Sequence, residues 1–121
     1  MAFPVSEERI AAAEAELGRR LPALCRQRLI RDNGGEVRAL NDDWQLHPVW
    51  DPTNHKTMKR TANHILKETA SARDWHGFPQ TAIALGSDGC GNFLISRSNE
   101  DLIEFWDHET GELEPIEVDW N

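Results

Sequence analysis

The sequence predicts an α+β domain in which helices pack on one face of a mostly antiparallel β-sheet. Three segments repeat apolar residues at helical spacing, two of them near the N-terminus. The part of the chain after Gly77 instead alternates apolar and polar residues between glycine-containing turns, which is typical of strands. Two helices, a hairpin, a third helix and a strand meander add up to this fold class.

The length and composition fit one compact domain over residues 1–121. A chain of this size falls within the range of single domains, and 39% hydrophobic residues are enough to form a core, so extensive disorder is excluded.

The first helix has clear signals at both ends. Ser6 can cap its N-terminus, and Glu7 and Glu8 in the first turn favour the positive end of the helix dipole. Ile10 and Ala13, with Leu17, recur on one face, and Gly18 predicts the end of the helix.

Two further helices follow from the same periodicity. Pro22 suits the first turn of the second helix, and Asn33-Gly34-Gly35 predicts its end. The residues predicted to form the buried stripes are Leu21, Leu24, Cys25 and Leu29 in the second helix and Ala62, Ile65, Leu66, Thr69 and Ala72 in the third.

Residues 36–47 predict a hairpin with a turn at Asn41 and Asp42, and with Val37, Leu40, Trp44 and Leu46 pointing inward. Residues 48–60 are predicted as a loop. Pro48 and Pro52 bracket Val49, Trp50 and Asp51, and the polar run 53–57 lacks a core pattern.

The pattern in the last part of the chain predicts a strand meander. Residues 82–85 and 92–96 predict two strands joined by the glycine-dense turn 86–91. Residues 102–106 predict a third strand, and the alternation of Ile116, Val118 and Trp120 with acids predicts a fourth.

The negative charge is concentrated near the C-terminus. Thirteen Lys and Arg against 21 Asp and Glu give a net charge of -8. Residues 99–121 contain no Lys or Arg but nine acids, namely Glu100, Asp101, Glu104, Asp107, Glu109, Glu112, Glu114, Glu117 and Asp119. This charge argues against binding to nucleic acid or to an anionic membrane and favours a basic protein partner. The alternative is that the acids protect exposed strand edges from pairing with other chains.

Catalytic and metal-binding patterns are weak. The five histidines lack the i, i+4 spacing of a helical zinc site, and neither Cys25 nor Cys90 has a base nearby in sequence. The glycines at 86–91 lead into a strand, whereas a phosphate-binding loop leads into a helix. We therefore expect no enzymatic activity, no metal and no cofactor. With acids at positions 7 and 8 and no long apolar run, we also expect a cytoplasmic protein.

Two of the five tryptophans are candidates for partner contact. Trp44, Trp106 and Trp120 lie in predicted strands, where core or sheet-face positions are expected. Trp50 and Trp75 lie in predicted loops, where they either contact a partner or pack over the edge of the core.

These residues together resemble the Smi/Knr family of the SUKH superfamily. The similarity runs from about Ser6 to Glu109, and its most specific part is E-x-x-L-G-x-x-L-P, from Glu14 to Pro22, followed by Asn33-Gly34-Gly35. Trp44, the segment 82–95 and Trp106-Asp107-His108-Glu109 extend it. Cys25, Arg28 and Asp32 depart from it, because family members tend to carry aromatic residues there.

The resemblance implies an α+β fold and an immunity protein that neutralises a cognate toxin, often a nuclease, by covering its functional surface. The alternative is a regulatory or scaffolding protein-interaction module. For the immunity role, the basic toxin is expected to contact an acidic patch flanked by an aromatic anchor. The candidate residues are Glu100, Asp101, Glu104, Asp107, Glu109, Glu112, Trp50 and Trp75.

Overall fold

The computed structural model describes residues 3–98 and 101–121, which form four helices and six strands. The helices are α1 (Glu7–Leu17), α2 (Ala23–Arg31), α3 (His55–Arg60) and α4 (Ile65–Ala72). The strands are β1 (Glu36–Ala39), β2 (Asp42–Leu46), β3 (Ile83–Ser87), β4 (Phe93–Ser96), β5 (Ile103–Trp106) and β6 (Leu113–Ile116). The predicted α+β class is confirmed.

The six strands form one sheet in chain order, and every adjacent pair is antiparallel. The sheet curls, because the chain beyond β6 returns to β1. There the Asp119 N–H donates to the Arg38 carbonyl at 2.8 Å, and the Arg38 N–H donates to the Asp119 carbonyl at 3.2 Å. These two hydrogen bonds cover part of the outer edge of β1.

The main core lies inside the curl. Trp44 and Leu46 of β2 pack there with apolar residues of the other strands and with Ile10, Cys25 and Leu29 of α1 and α2. A smaller cluster on the other side of β3–β5 joins Phe78 and Ala72 to Phe93 and Trp106. The two clusters together bury residues on both faces of the central strands.

The sheet opens between β2 and β3, and α4 lies at this opening. Only two residue pairs of β2 and β3 are in register, Gln45 with Ser87 and Leu46 with Gly86. Beyond them, the Thr69 hydroxyl of α4 accepts the Ala84 N–H at 3.1 Å, and the His47 N–H donates to the Leu85 carbonyl at 2.8 Å. One side-chain hydroxyl and one backbone N–H thus satisfy backbone groups of β3 beyond the paired residues.

The predicted stripe of α2 is wrong at one position. Leu24 is 58% exposed, whereas Arg28 is buried beside Cys25 and Leu29. The Arg28 guanidinium donates to the carbonyls of Gly34, Glu36 and Trp120, so it satisfies backbone acceptors where α2, β1 and the C-terminal segment meet. The helix also ends at Arg31, before the glycines with positive φ at 34 and 35.

The β1–β2 turn lies one residue earlier than predicted. Leu40 and Asn41 have φ values of 54° and 62°, the pair of positive angles expected for a tight two-residue hairpin turn. As a result Leu40 is exposed at the turn, and Ala39 takes the inward position in its place.

Four other features differ from the prediction. Residues 55–60, expected to be loop, form α3, because Asn54 and Thr57 make a reciprocal capping box. Gly86 and Ser87 belong to β3 and not to the turn, and Ala62 is exposed before α4 begins. The last strand, β6, ends at Ile116, where the predicted alternation was centred further on.

Candidate functional site

Three hairpin turns lie at one end of the sheet. In an antiparallel meander the connections alternate between the two ends, so the β1–β2, β3–β4 and β5–β6 turns share an end. A direct contact supports this geometry, because the backbone N–H of His108, in the β5–β6 turn, donates to the Asn92 side chain of the β3–β4 turn at 3.1 Å.

This end of the sheet is strongly acidic. Residues 40–43, 88–92 and 107–112 contain no Lys or Arg. Their carboxylates are Asp42, Asp43, Asp88, Asp107, Glu109 and Glu112. Asp43 forms an ion pair of 2.9 Å with Arg38 of β1, whereas the other five form no ion pair within the described residues.

An exposed tryptophan lies beside these turns. Trp75 is 42% exposed, and its ring meets that of His108 edge-on with centroids 5.5 Å apart. Gly91 has a φ of 97°, and a Cβ there would be 2.9 Å from the Trp75 ring, so only glycine lets the β3–β4 turn approach this closely. We call Trp75 with Asp42, Asp88, Asp107, Glu109 and Glu112 the acidic hairpin end.

His108 is itself fixed within this surface. Its Nδ1 lies 2.7 Å from the Asn92 side-chain oxygen, and Asn92 in turn donates to Asp88 at 2.8 Å. Asp107 accepts the Glu109 N–H at 2.8 Å, which orders the start of the β5–β6 turn. The tryptophan therefore rests on a hydrogen-bonded support, and Glu109 and Glu112 are exposed beside it.

The structure separates the predicted site residues into groups. Asp107, Glu109, Glu112 and Trp75 come together at the acidic hairpin end. Asp101 lies in the β4–β5 connection at the other end of the sheet, where its carboxylate accepts the Ala23 N–H at 3.0 Å at the start of α2. Glu100 lies outside the described residues.

Glu104 is 5% exposed and bound within the domain. Its two oxygens accept from the Arg97 guanidinium at 2.7 and 2.9 Å, which is a bidentate ion pair. This internal cation already satisfies the carboxylate, so Glu104 does not contribute to the acidic surface described above.

Trp50 lies apart from Trp75. Its ring contacts His64 at 5.7 Å between centroids, and His64 caps the N-terminus of α4, whereas Trp75 follows its C-terminus. The eight residues of α4 span about 12 Å. The two candidate anchors therefore lie near opposite ends of this helix.

The sequence reasoning missed Asp42 and Asp88, which precede the acidic C-terminal segment. The signal that could have found them was the meander itself, since alternating connections place every second turn at the same end.

A separate polar cavity of about 640 Å³ lies beside the opening between β2 and β3. Its walls include Glu36 and Gln45 of the first hairpin, Ser87 of β3 and Glu68 of α4. Asn33 fixes the loop that forms another wall, because its side-chain amide exchanges two hydrogen bonds of 2.8 and 2.9 Å with the backbone of Val49.

His47 lines this cavity in its neutral form. Burial lowers the pKa of the imidazole, although the hydrogen bond to the Ala84 carbonyl and the charge of Glu68 oppose this shift. Nδ1 lies 2.8 Å from that carbonyl, which can only accept, so Nδ1 carries the proton and Nε2 keeps its lone pair.

No reactive cluster emerges elsewhere in the described part of the chain. No three His, Cys, Asp or Glu side chains there are arranged to hold a metal ion. Cys25 is buried, and desolvation raises the pKa of its thiol to about 12, which disfavours a nucleophilic thiolate. Cys90 is exposed in the β3–β4 turn. No helix within these residues is long and apolar enough to span a membrane.

The model of the SMI1 / KNR4 family (SUKH-1) matches residues 4–121. No curated protein and no solved structure matches the chain.

Proposed function

The chain belongs to the SMI1 / KNR4 family (SUKH-1), and we propose from this membership that it is an immunity protein. In this proposal it binds a cognate toxin, a nuclease with a basic cleft, and covers the functional surface of that toxin. The protein acts by binding and not by catalysis.

The observation that carries the proposal is the acidic hairpin end. Five carboxylates that form no ion pair within the described residues lie in the three turns at this end, where the exposed Trp75 ring packs against His108 and close to Gly91. Carboxylates whose charge is not balanced by an ion pair attract a basic surface from a distance and accelerate association. A half-exposed, fixed tryptophan is the kind of residue that contributes most once the complex has formed.

The two contributions predict different kinetic effects. Reversing Glu109 and Glu112 to Lys should slow association at low salt by about tenfold or more, and added salt should reduce the difference from wild type. Trp75→Ala should leave the association rate nearly unchanged and raise the dissociation rate by about tenfold or more.

The experiment is co-expression with the product of the adjacent gene, scored by rescue of growth and by a co-purifying complex, followed by binding kinetics on the purified pair. Glu8→Lys with Glu16→Lys is the matched control, since it makes the same charge change at exposed positions of α1. A complex whose rates ignore the Glu109 and Glu112 reversal and Trp75→Ala would rule out this surface. Failure to protect the cell would rule out the immunity role with this partner.

A further inference from the structure

The polar cavity beside the opening between β2 and β3 contains a buried carboxylate that lacks a cation. Asp51 is 6% exposed and lines the cavity. One of its oxygens accepts the N–H of Thr53 at 3.1 Å and the hydroxyl of the same residue. No described residue donates to the other oxygen, and Asp51 forms no ion pair with the described part of the chain.

Solvent reaches the free oxygen through the cavity, but most of the side chain is buried, and an ion pair with a ligand is stronger there than on an open surface. Arg60 also lines the cavity, but its guanidinium lies over the Phe3 ring, 4.9 Å from the centroid, and makes no ion pair with Asp51. Arg60 is therefore not the ion-pair partner of Asp51.

A second buried side chain that lines the same cavity also has an acceptor atom without a donor. His47 is 4% exposed, and its Nδ1 is committed to the Ala84 carbonyl. The remaining nitrogen, Nε2, is an acceptor for which the described residues provide no donor. Two independent, nearly buried side chains of one cavity thus present free acceptor atoms.

The other charges of the cavity point the same way. Glu36 and Glu68 add two carboxylates to that of Asp51, against the single guanidinium of Arg60. A volume of about 640 Å³ falls in the range of small-molecule sites. The complementary ligand is positively charged and rich in N–H donors.

We propose that this cavity binds an alkyl guanidinium or alkyl ammonium group, with Asp51 as its anionic partner and His47 Nε2 as a further acceptor. The group belongs either to a free small cation or to an arginine or lysine side chain of a partner protein. None of the lining residues belongs to the acidic hairpin end. The inference is therefore independent of the proposed immunity function.

The test is a titration of the full chain with butylguanidinium. Binding is monitored through the backbone amide NMR signals of Asp51, Asn63 and Ser87. Butylurea, which has nearly the same shape but no charge, is the matched ligand. We expect saturable shifts with butylguanidinium and none with butylurea. Asp51→Asn keeps an oxygen for Thr53 but removes the charge, and it should weaken binding by about tenfold, the equivalent of one charged contact.

Two further proteins make the result decisive. Asp74→Asn removes one exposed carboxylate outside the cavity and should change the affinity less than twofold, within the scatter of surface substitutions. Glu68→Gln removes a second carboxylate of the wall, and weaker binding by this variant supports the site even where Asp51→Asn fails to fold. Equal binding of butylurea, unchanged affinity in both cavity variants, or no saturable shift would overturn the proposal.

A titration with a peptide distinguishes the two sources of the cation. Acetyl-Gly-Arg-Gly-amide presents the same guanidinium on a polypeptide. Tighter binding of this peptide than of butylguanidinium supports recognition of a protein side chain. Tighter binding of butylguanidinium supports a free small cation.

Discussion

At the scale of single residues, the motif that carries the family resemblance is structural. The buried Glu14 carboxylate accepts the Leu21 N–H at 2.7 Å and contacts Arg26 at 3.4 Å, so it holds the short connection between α1 and α2. Gly18 ends α1 with a φ of 84°, and its N–H donates to the Glu14 carbonyl. A motif of this kind is readable in sequence because each of its residues satisfies a local backbone requirement.

Arg19 has a role that the sequence did not reveal. Its guanidinium donates to the carbonyls of Thr81, Ser96 and Ser98 and to the Ser96 hydroxyl. These acceptors are 62 to 79 residues away in the chain. Nothing around position 19 in the sequence indicates them, because such long-range acceptors depend on the register of β3 and β4.

The first prediction concerns the pH dependence of stability at His47. Burial lowers the pKa of this imidazole in the folded protein, so the unfolded chain takes up a proton more readily. Its contribution to stability is therefore fully present above the unfolded pKa of about 6.5 and is lost as the pH falls below that value. His47→Asn keeps an N–H near the Ala84 carbonyl but does not titrate.

We expect the wild-type free energy of unfolding to fall by about 1 kcal/mol more than that of His47→Asn between pH 7.5 and 5.5. Urea unfolding at several pH values measures this difference. The pKa of His64 is also lowered, first by burial and then by Lys67, but this group is present in both proteins and cancels in the comparison. Parallel pH profiles for the two proteins would contradict the prediction.

At the scale of elements, helices with amphipathic faces and caps were predicted well. Ser6 caps α1 and Gly18 ends it, as the sequence indicated. The helix α3 was missed because it has no buried residue, and it depends on a capping box in a polar segment. The predicted hairpin turns differ from the observed turns by one or two residues. In the first hairpin the positive φ values occur at Leu40 and Asn41, but Asp42 also tolerates such a value. The residue types therefore do not decide which two residues form the turn.

The second prediction concerns Gly86, whose lack of a side chain allows β2 and β3 to pair. A Cβ at this position would lie 2.8 Å from the Gln45 carbonyl oxygen, and that oxygen belongs to the backbone of the neighbouring strand. Gly86→Ala should therefore push the two strands apart at their short contact and destabilise the domain by about 2 kcal/mol. Thermal unfolding measures the loss, with Ser87→Ala, the adjacent residue of the same strand, as the control.

We expect the free energy of unfolding of Ser87→Ala to stay within about 0.5 kcal/mol of the wild-type value. Ser87 is only partly buried, and replacing it by alanine removes no close backbone contact. Equal stability of the two variants would show that β2 and β3 can move apart at their contact without a loss of stability. It would also mean that the glycine is not required there.

At the scale of the whole molecule, the sequence shows which segment carries the negative charge but not which acids share one surface. Of the acids predicted to act together, Glu104 is paired with Arg97 and Asp101 lies at the other end of the sheet, whereas Asp107, Glu109 and Glu112 lie in one turn at the acidic hairpin end. Asp42 and Asp88 join them through the meander. Segment charge is a property of sequence, but the grouping of turns depends on strand order and curl, which only the complete fold defines.

The same curl gives the last prediction. The sheet closes through the two hydrogen bonds between Arg38 and Asp119, which lie 81 positions apart in the sequence numbering. Asp119→Pro removes the N–H that donates to the Arg38 carbonyl at 2.8 Å, whereas Asp119→Ala removes only the side chain and keeps this bond.

We expect Asp119→Pro to lower the free energy of unfolding by about 1–3 kcal/mol and Asp119→Ala to change it by less than about 0.5 kcal/mol. The Arg38 amide, which donates to the Asp119 carbonyl, should also exchange with solvent at least about tenfold faster in the proline variant. Hydrogen exchange followed by NMR reads this amide directly. An Arg38 amide equally protected in both variants would mean that β1 keeps its edge covered without the returning chain, and the closure of the sheet would then contribute nothing to the stability of the fold.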